Sequence, residues 1–371
     1  MERLSFYNCD KFSTAIFRAL PRKGTFFTDR QFPECFRATL GLPSPTFTAF
    51  SQQYIGTKTP KPVDPFGIGI ANATLPHDHW RQRHDSLKRA IADALTTSKN
   101  SVLVEPGSMF NGKIPSAIYQ QFLAKNLRVT PDILIPHFNN SKDWACDVKI
   151  HNVYSDFSNY ISSYSSHSSK SPRMVDHSGP DKVRSSYLRV TTKLDKEIAN
   201  HPPTATTPGP FTTALHSLHD GHITPIIGGA FGECSKTLDN LLKHISLQAA
   251  ANNAGLQLTP HCDISPILSA RNILLHDFRQ VIGCTVIKAN IDCKLKRLPF
   301  IRSTATDAKA IASLHTKQNT NPFSFDFNSW FRNTGDNGTY DTFYRYLNLQ
   351  GSSGNFLSDN PDWLDSRQGL T

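Results

Sequence analysis

The chain has no C-x-x-C pair; its seven cysteines are scattered at positions 9, 35, 146, 234, 262, 284 and 293. That sets aside a zinc ribbon and a dithiol redox motif, and an odd, dispersed set reads as reduced thiols in an intracellular protein. Apolar runs are short, with none near the roughly 18 residues a membrane helix needs. The opening MERLSFYNCDKF starts with charge and lacks a long apolar stretch, against a secretory leader. The expected location is intracellular, the nucleus included. Internal repeats and coiled-coil heptads are missing too. GGAFGECSKT, from Gly228, lacks the Gly-Lys-Ser/Thr ending of a phosphate loop, because Ser235 precedes Lys236. GIGI at 67–70 is no dinucleotide fingerprint. Nucleotide hydrolysis is therefore not expected.

What is present is a chain of 371 residues, 38% hydrophobic, 10% aromatic and 19% charged, long enough for a substantial core with long polar insertions. A formal charge of +10 points to an anionic partner. Nucleic acid is the first candidate, DNA ahead with RNA left open.

Residues 1–75 read as an N-terminal extension with short helices. HDHWRQRHDSLKRAIADAL, 77–95, is the first helix, with Trp80, Leu87, Ile91 and Leu95 at helical spacing. SVLVEP, ILIP and WACDVKI follow as three strands, the last two separated by the polar turn HFNNSKD. A serine-rich loop is expected over 152–181 and a helix over 182–198. After the loop HPPTATTPGP, HITPIIGGAFG reads as a buried strand, and 234–255 as a helix with Leu238, Leu241, Leu242 and Ile245 on one stripe. The expected class is α/β, a core of helix, three strands, helix, strand, helix over 76–254. Residues 255–371 form a C-terminal extension that wraps the core or meets a protein partner. Within it, ISPILSARNILLHDFRQVIGCTVIKA reads as a helix followed by a strand.

Four residues carry the chemistry. Asp132 opens one strand, and Asp147 lies in the next. A turn between them would bring both carboxylates to one sheet edge. Asp147 and Lys149 are two apart and leave the same strand face. Glu105, ending the preceding strand, supplies a third acid. Converging carboxylates suit a hard cation such as Mg²⁺ or Mn²⁺, and a nearby lysine can orient or activate water. The plainer reading stays open: aspartate before an apolar run often caps a turn, and an edge-strand lysine keeps the edge soluble.

The order Pro131–Asp132, then Asp147–Val148–Lys149, resembles the PD-(D/E)xK motif of the restriction-endonuclease-like superfamily. More narrowly, the chain resembles the endonuclease domain that follows the reverse transcriptase in some site-specific non-LTR retrotransposons, and its algal and protist relatives. RHDSLKRAIADAL from Arg83, VEP at Glu105, PDI at Pro131 and CDVK at Cys146 carry that likeness, over roughly residues 35–250. DPFG at Asp64, SSYLRVTTKLDK and GGAFGE extend it. The resemblance implies Asp132 and Asp147 as ligands of Mg²⁺ or Mn²⁺, Glu105 as an accessory carboxylate and Lys149 as the motif lysine. Arg83 and His84 would hold a phosphate or shape the site. The cysteine/histidine cluster that relatives carry before the arginine–histidine triplet has no cysteines here, in FGIGIANATLPHDHW, and no reverse transcriptase is present in the chain.

Lys182, Arg189, Lys193 and Lys196 fall close to one face of the 182–198 helix, where they could meet a DNA backbone or simply face water. The reading is a metal-dependent DNA endonuclease. Its alternatives are an inactive nucleic-acid-binding protein of the same fold, or a structural or assembly protein.

Overall fold

The computed structural model describes residues 5–6, 8–21, 24–57, 59–75, 79–138, 142–151, 174–201, 207–255 and 267–310, all within one compact unit, residues 1–315. His77, most of the expected 152–181 loop, part of HPPTATTPGP and the chain from 311 onward lie outside the described residues.

The fold is mixed α/β. A four-stranded sheet, in the order β3-β4-β5-β6, is built from β3 (Leu103–Val104), β4 (Ile133–Phe138), β5 (Lys142–Ile150) and β6 (Thr224–Gly228). The first two pairings are antiparallel and β5–β6 is parallel. Side-chain alternation divides β4 and β5 between two cores. Ile133, Ile135, Cys146 and Val148 face one, and Leu134 and Ala145 the other. Because both faces are covered, β5 is buried without a break from Trp144 to Val148.

Two helices lie on the first face, α4 (His79–Thr97) and α8 (Lys236–Asn253), and α9 (Leu268–Arg297) packs across both. Leu87, Ile91 and Leu95 of α4 recur every four residues and are fully buried, each stabilising by about 2 kcal/mol through lost apolar surface. The second face is covered by α5 (Ser116–Ala124), α6 (Met174–Glu197) and α7 (Pro210–His216). Asp195 turns inward from α6 and caps α7. Its two oxygens accept from Phe211 N at 2.7 Å and Thr212 N at 3.0 Å, two donors that the first turn of a helix leaves unpaired. A Cβ on Gly209 would come within 2.4 Å of that carboxyl group, so the approach needs glycine.

The N-terminal residues add a 3₁₀ turn (Ser13–Phe17), α1 (Gln31–Leu40), α2 (Pro45–Thr48) and α3 (Ile68–Asn72), with the small ladder of β1 (Tyr54–Ile55) and β2 (Lys61–Pro62). Arg297 of α9 donates to the carbonyls of Ile70, Ala71 and Ala73, closing the C-terminus of α3.

The element order departs from the expected one in four places. Helix α5 stands between β3 and β4, and α7 precedes β6. Helix α6 begins at Met174, ahead of Lys182. VIGCTVIKA is the middle of α9 rather than a strand. Its β-branched residues favour extended chain locally, but Ile282, Val286 and Ile287 recur at helical spacing and are buried against neighbouring helices. Among the described residues no helix is long and apolar enough to cross a membrane.

Candidate functional site

The antiparallel register pairs Ile133 with Cys146, so Asp132 falls opposite Asp147. The Asp132 N–H donates to the Cys146 carbonyl at 2.9 Å, and both aspartates are buried, 9% and 7% exposed. The juxtaposition expected from sequence is present.

The two carboxyl groups sit in different surroundings. Asp132 Oδ2 accepts from the Val148 N–H at 2.6 Å and lies 3.0 Å from His84 Nε2. Its Oδ1 meets no hydrogen-bond partner among the described residues. Burial pushes the Asp132 pKa up, but the bonds from His84 and Val148 and the His84 charge outweigh it and hold it below the ordinary value. Asp147 Oδ2 lies 2.8 Å from Lys149 Nζ, and Oδ1 accepts from the Tyr187 hydroxyl at 3.3 Å. Here burial prevails, with help from the Asp132 charge, and the Asp147 pKa is raised despite Lys149 and Tyr187. Neighbouring acids with opposed shifts are a common signature of a functional site.

Behind Asp132 runs a chain of ionisable groups. His84 Nδ1 lies 3.1 Å from Asp85 Oδ1, and Lys88 Nζ lies 2.9 Å from that same oxygen and contacts Glu105 Oε1. With a carboxylate at each nitrogen, the imidazole suits its doubly protonated form. Burial opposes that charge, yet the bonds from Asp132 and Asp85 raise the His84 pKa. Glu105 follows β3 in left-handed backbone, φ +47°, and donates its N–H to the Asp132 carbonyl at 2.9 Å. Its backbone is thus tied to Asp132 while its carboxylate is turned to Lys88.

A cleft of about 680 Å³ opens beside Asp147. It is walled by Lys149 of β5 and His151 just beyond it, by α6 through Lys182, Ser186 and Tyr187, and by Arg128 from the segment before β4. Asp147 is the one acid among the described lining residues.

The remaining sequence candidates divide by position. Lys182, Arg189, Lys193 and Lys196 are exposed on α6, with Lys193 loosely paired to Glu197 at 3.8 Å. Arg83 is only 5% exposed and lines a small pocket with Lys294 and Asn290. His84 is engaged by Asp132 and Asp85. Sequence reasoning missed Lys88 and Asp85. Their only signal was spacing: Lys88 is four residues beyond His84 and three beyond Asp85 on one helical stripe. The GGAFGE turn is organised by its own anion, as Glu233 Oε2 accepts from the Phe231 N–H at 2.8 Å. A buried carboxylate there disfavours phosphate.

Two buried carboxylates side by side are hard oxygen donors of the kind Mg²⁺ takes, one or two per site with water completing the shell. A cation bound by both would offset the burial that chiefly raises Asp147 and, to a lesser degree, the charge of Asp132 opposite. Glu105 does not join them: among the described residues no three His, Cys, Asp or Glu side chains are gathered to hold a metal. The chain matches no known family model, no curated protein and no solved structure.

Proposed function

We propose that the protein is a metal-dependent DNA endonuclease with a restriction-endonuclease-like core, related to the nuclease domains of site-specific retroelements. The observation that carries this reading is the placement of Asp132 opposite Asp147, with Lys149 leaving the same strand face 2.8 Å from the Asp147 carboxylate. The order of the motifs along the chain supports it further.

In this reading Asp132 and Asp147 would hold Mg²⁺ or Mn²⁺, which would supply Lewis-acid stabilisation of the phosphate. His84 and the Val148 N–H fix the Asp132 carboxylate in one orientation and keep it ionised. Tyr187 restrains Asp147 from the α6 side. Lys149, half open to the cleft, presents an ammonium to the anionic phosphate, and the basic face of α6 meets the flanking backbone without reading sequence. Water attacks phosphorus, the bond to one ester oxygen breaks, and that oxygen leaves with a proton.

A binding-only protein of the same fold is the second reading. The engagement of Glu105 by Lys88, which leaves only two acids together, is the observation that favours it. The test is cleavage of single- and double-stranded DNA with Mg²⁺ or Mn²⁺ by the wild type and Asp147→Ala. The nuclease reading expects product from the wild type and a loss of at least about 100-fold in the folded variant, as when a group acting on the transition state is removed. Binding by both proteins with cleavage by neither would move the assignment to the second reading.

A further inference from the structure

We propose that the cleft beside Asp147 takes an unpaired nucleotide, so that the substrate is single-stranded or locally unpaired DNA rather than continuous duplex. For the identity of the scissile bond this rests on the nuclease reading; for binding it stands on the cleft itself.

The cleft has the size of a small-ligand site, about 680 Å³. Its composition is divided. Val129, Val183, Val190 and the Tyr187 ring form an apolar wall, while Arg128, Lys149 and Lys182 bring positive charge. Charge alone would suit any nucleic acid backbone. The apolar wall suits the face of a base, which becomes available only when the base leaves its stack. Asp147 lies at 7% exposure, whereas Lys149, Lys182 and Arg128 are exposed around it. A phosphate near Asp147 must therefore enter the concavity with its nucleotide. An unpaired strand can do this freely, but a paired strand must first give up stacking and pairing, at a cost of a few kcal/mol.

Electrostatics works against this preference, which makes it diagnostic. Duplex DNA carries the denser charge, and each neutralised phosphate gives a steeper salt dependence in duplex than in single strands. A protein bound only through the basic face of α6 would favour duplex. Preference for the single strand requires the base to be held.

The experiment is fluorescence anisotropy with labelled oligothymidylate and the matching oligo(dA)·oligo(dT) duplex, in EDTA so that no cleavage intervenes. The wild type is expected to bind the single strand at least about tenfold more tightly, the scale of one base stacked on protein. Ser186→Trp, on the exposed cleft side of α6, should fill the cavity and remove that preference while duplex affinity stays unchanged. Arg189→Ala, on α6 outside the cleft lining, should weaken both ligands together. Equal affinities, a preference for duplex, or a preference that survives Ser186→Trp would overturn the proposal. Tighter binding of oligouridylate than of oligothymidylate would overturn the assignment to DNA. A protein that cuts DNA without this preference keeps the nuclease reading and loses the subsite. A protein with the preference that never cuts does the reverse.

Discussion

Asp147 is pulled three ways, by the low-polarity surroundings that disfavour its charge, by Asp132 opposite, and by Lys149, which compensates both in part. Lys149 lies 2.8 Å from the Asp147 carboxylate and would compete with a divalent cation for it. Lys149→Met is therefore expected to tighten Mg²⁺ binding, measured by calorimetry, by up to about fivefold, the worth of an ion pair half open to water. Weaker or unchanged binding would separate Asp147 from the metal. His84 acts on the other acid. His84→Ala should lower cleavage by about 10- to 100-fold through misplacement of Asp132, with DNA affinity in EDTA unaffected. A loss of affinity matching the loss of cleavage would mean that the imidazole touches DNA instead. The two aspartates and Lys149 were legible in sequence because strand periodicity is fixed and the turn between β4 and β5 is short. Lys88 was not, since its importance depends on where the turn after β3 delivers Glu105. Asp195 stood as the lone acid in the basic stretch 182–196, and its inward role as the cap of α7 depends on a helix the sequence reading did not anticipate.

At the scale of elements, the instructive case is α9. Local preference in VIGCTVIKA reads as strand, while burial periodicity reads as helix, and packing decides. Gly283 shows how closely it is packed: a Cβ there would stand 2.1 Å from the Phe12 carbonyl oxygen. Alanine in place of glycine favours a helix by up to about 1 kcal/mol. Overpacking against backbone costs about 1–3 kcal/mol, so Gly283→Ala should destabilise by roughly 1–2 kcal/mol in urea melts. A stabilised variant would mean that the N-terminal segment is not held against α9 in solution. The missed helices α5 and α7 have a simpler cause. Each is nine residues or fewer, too short for periodicity to show, and each owes its stability to burial of aromatic residues such as Phe122 and Phe211.

Over the whole molecule, the join between α8 and α9 has an acid-sensitive lock. Burial raises the Asp239 pKa, but the bonds from Lys243 and Arg279, the latter at 2.8 Å, more than reverse it. A carboxyl group held below its unfolded value of 3.8 contributes stability above that value and loses it as pH falls through the folded one. Stability should thus fall below about pH 4, and Asp239→Asn should flatten that acid limb in thermal melts. An acid limb of unchanged steepness would place the sensitivity elsewhere. Helix α9 also has a consequence in time. A ribosome releases the strands, α4 and α8 before residues 268–297, the helix that packs across α4 and α8. Until then the faces of α4 and α8 that it covers stay open to water and to other chains. That packing waits for α9, and the nascent protein is most exposed to aggregation just before this helix emerges.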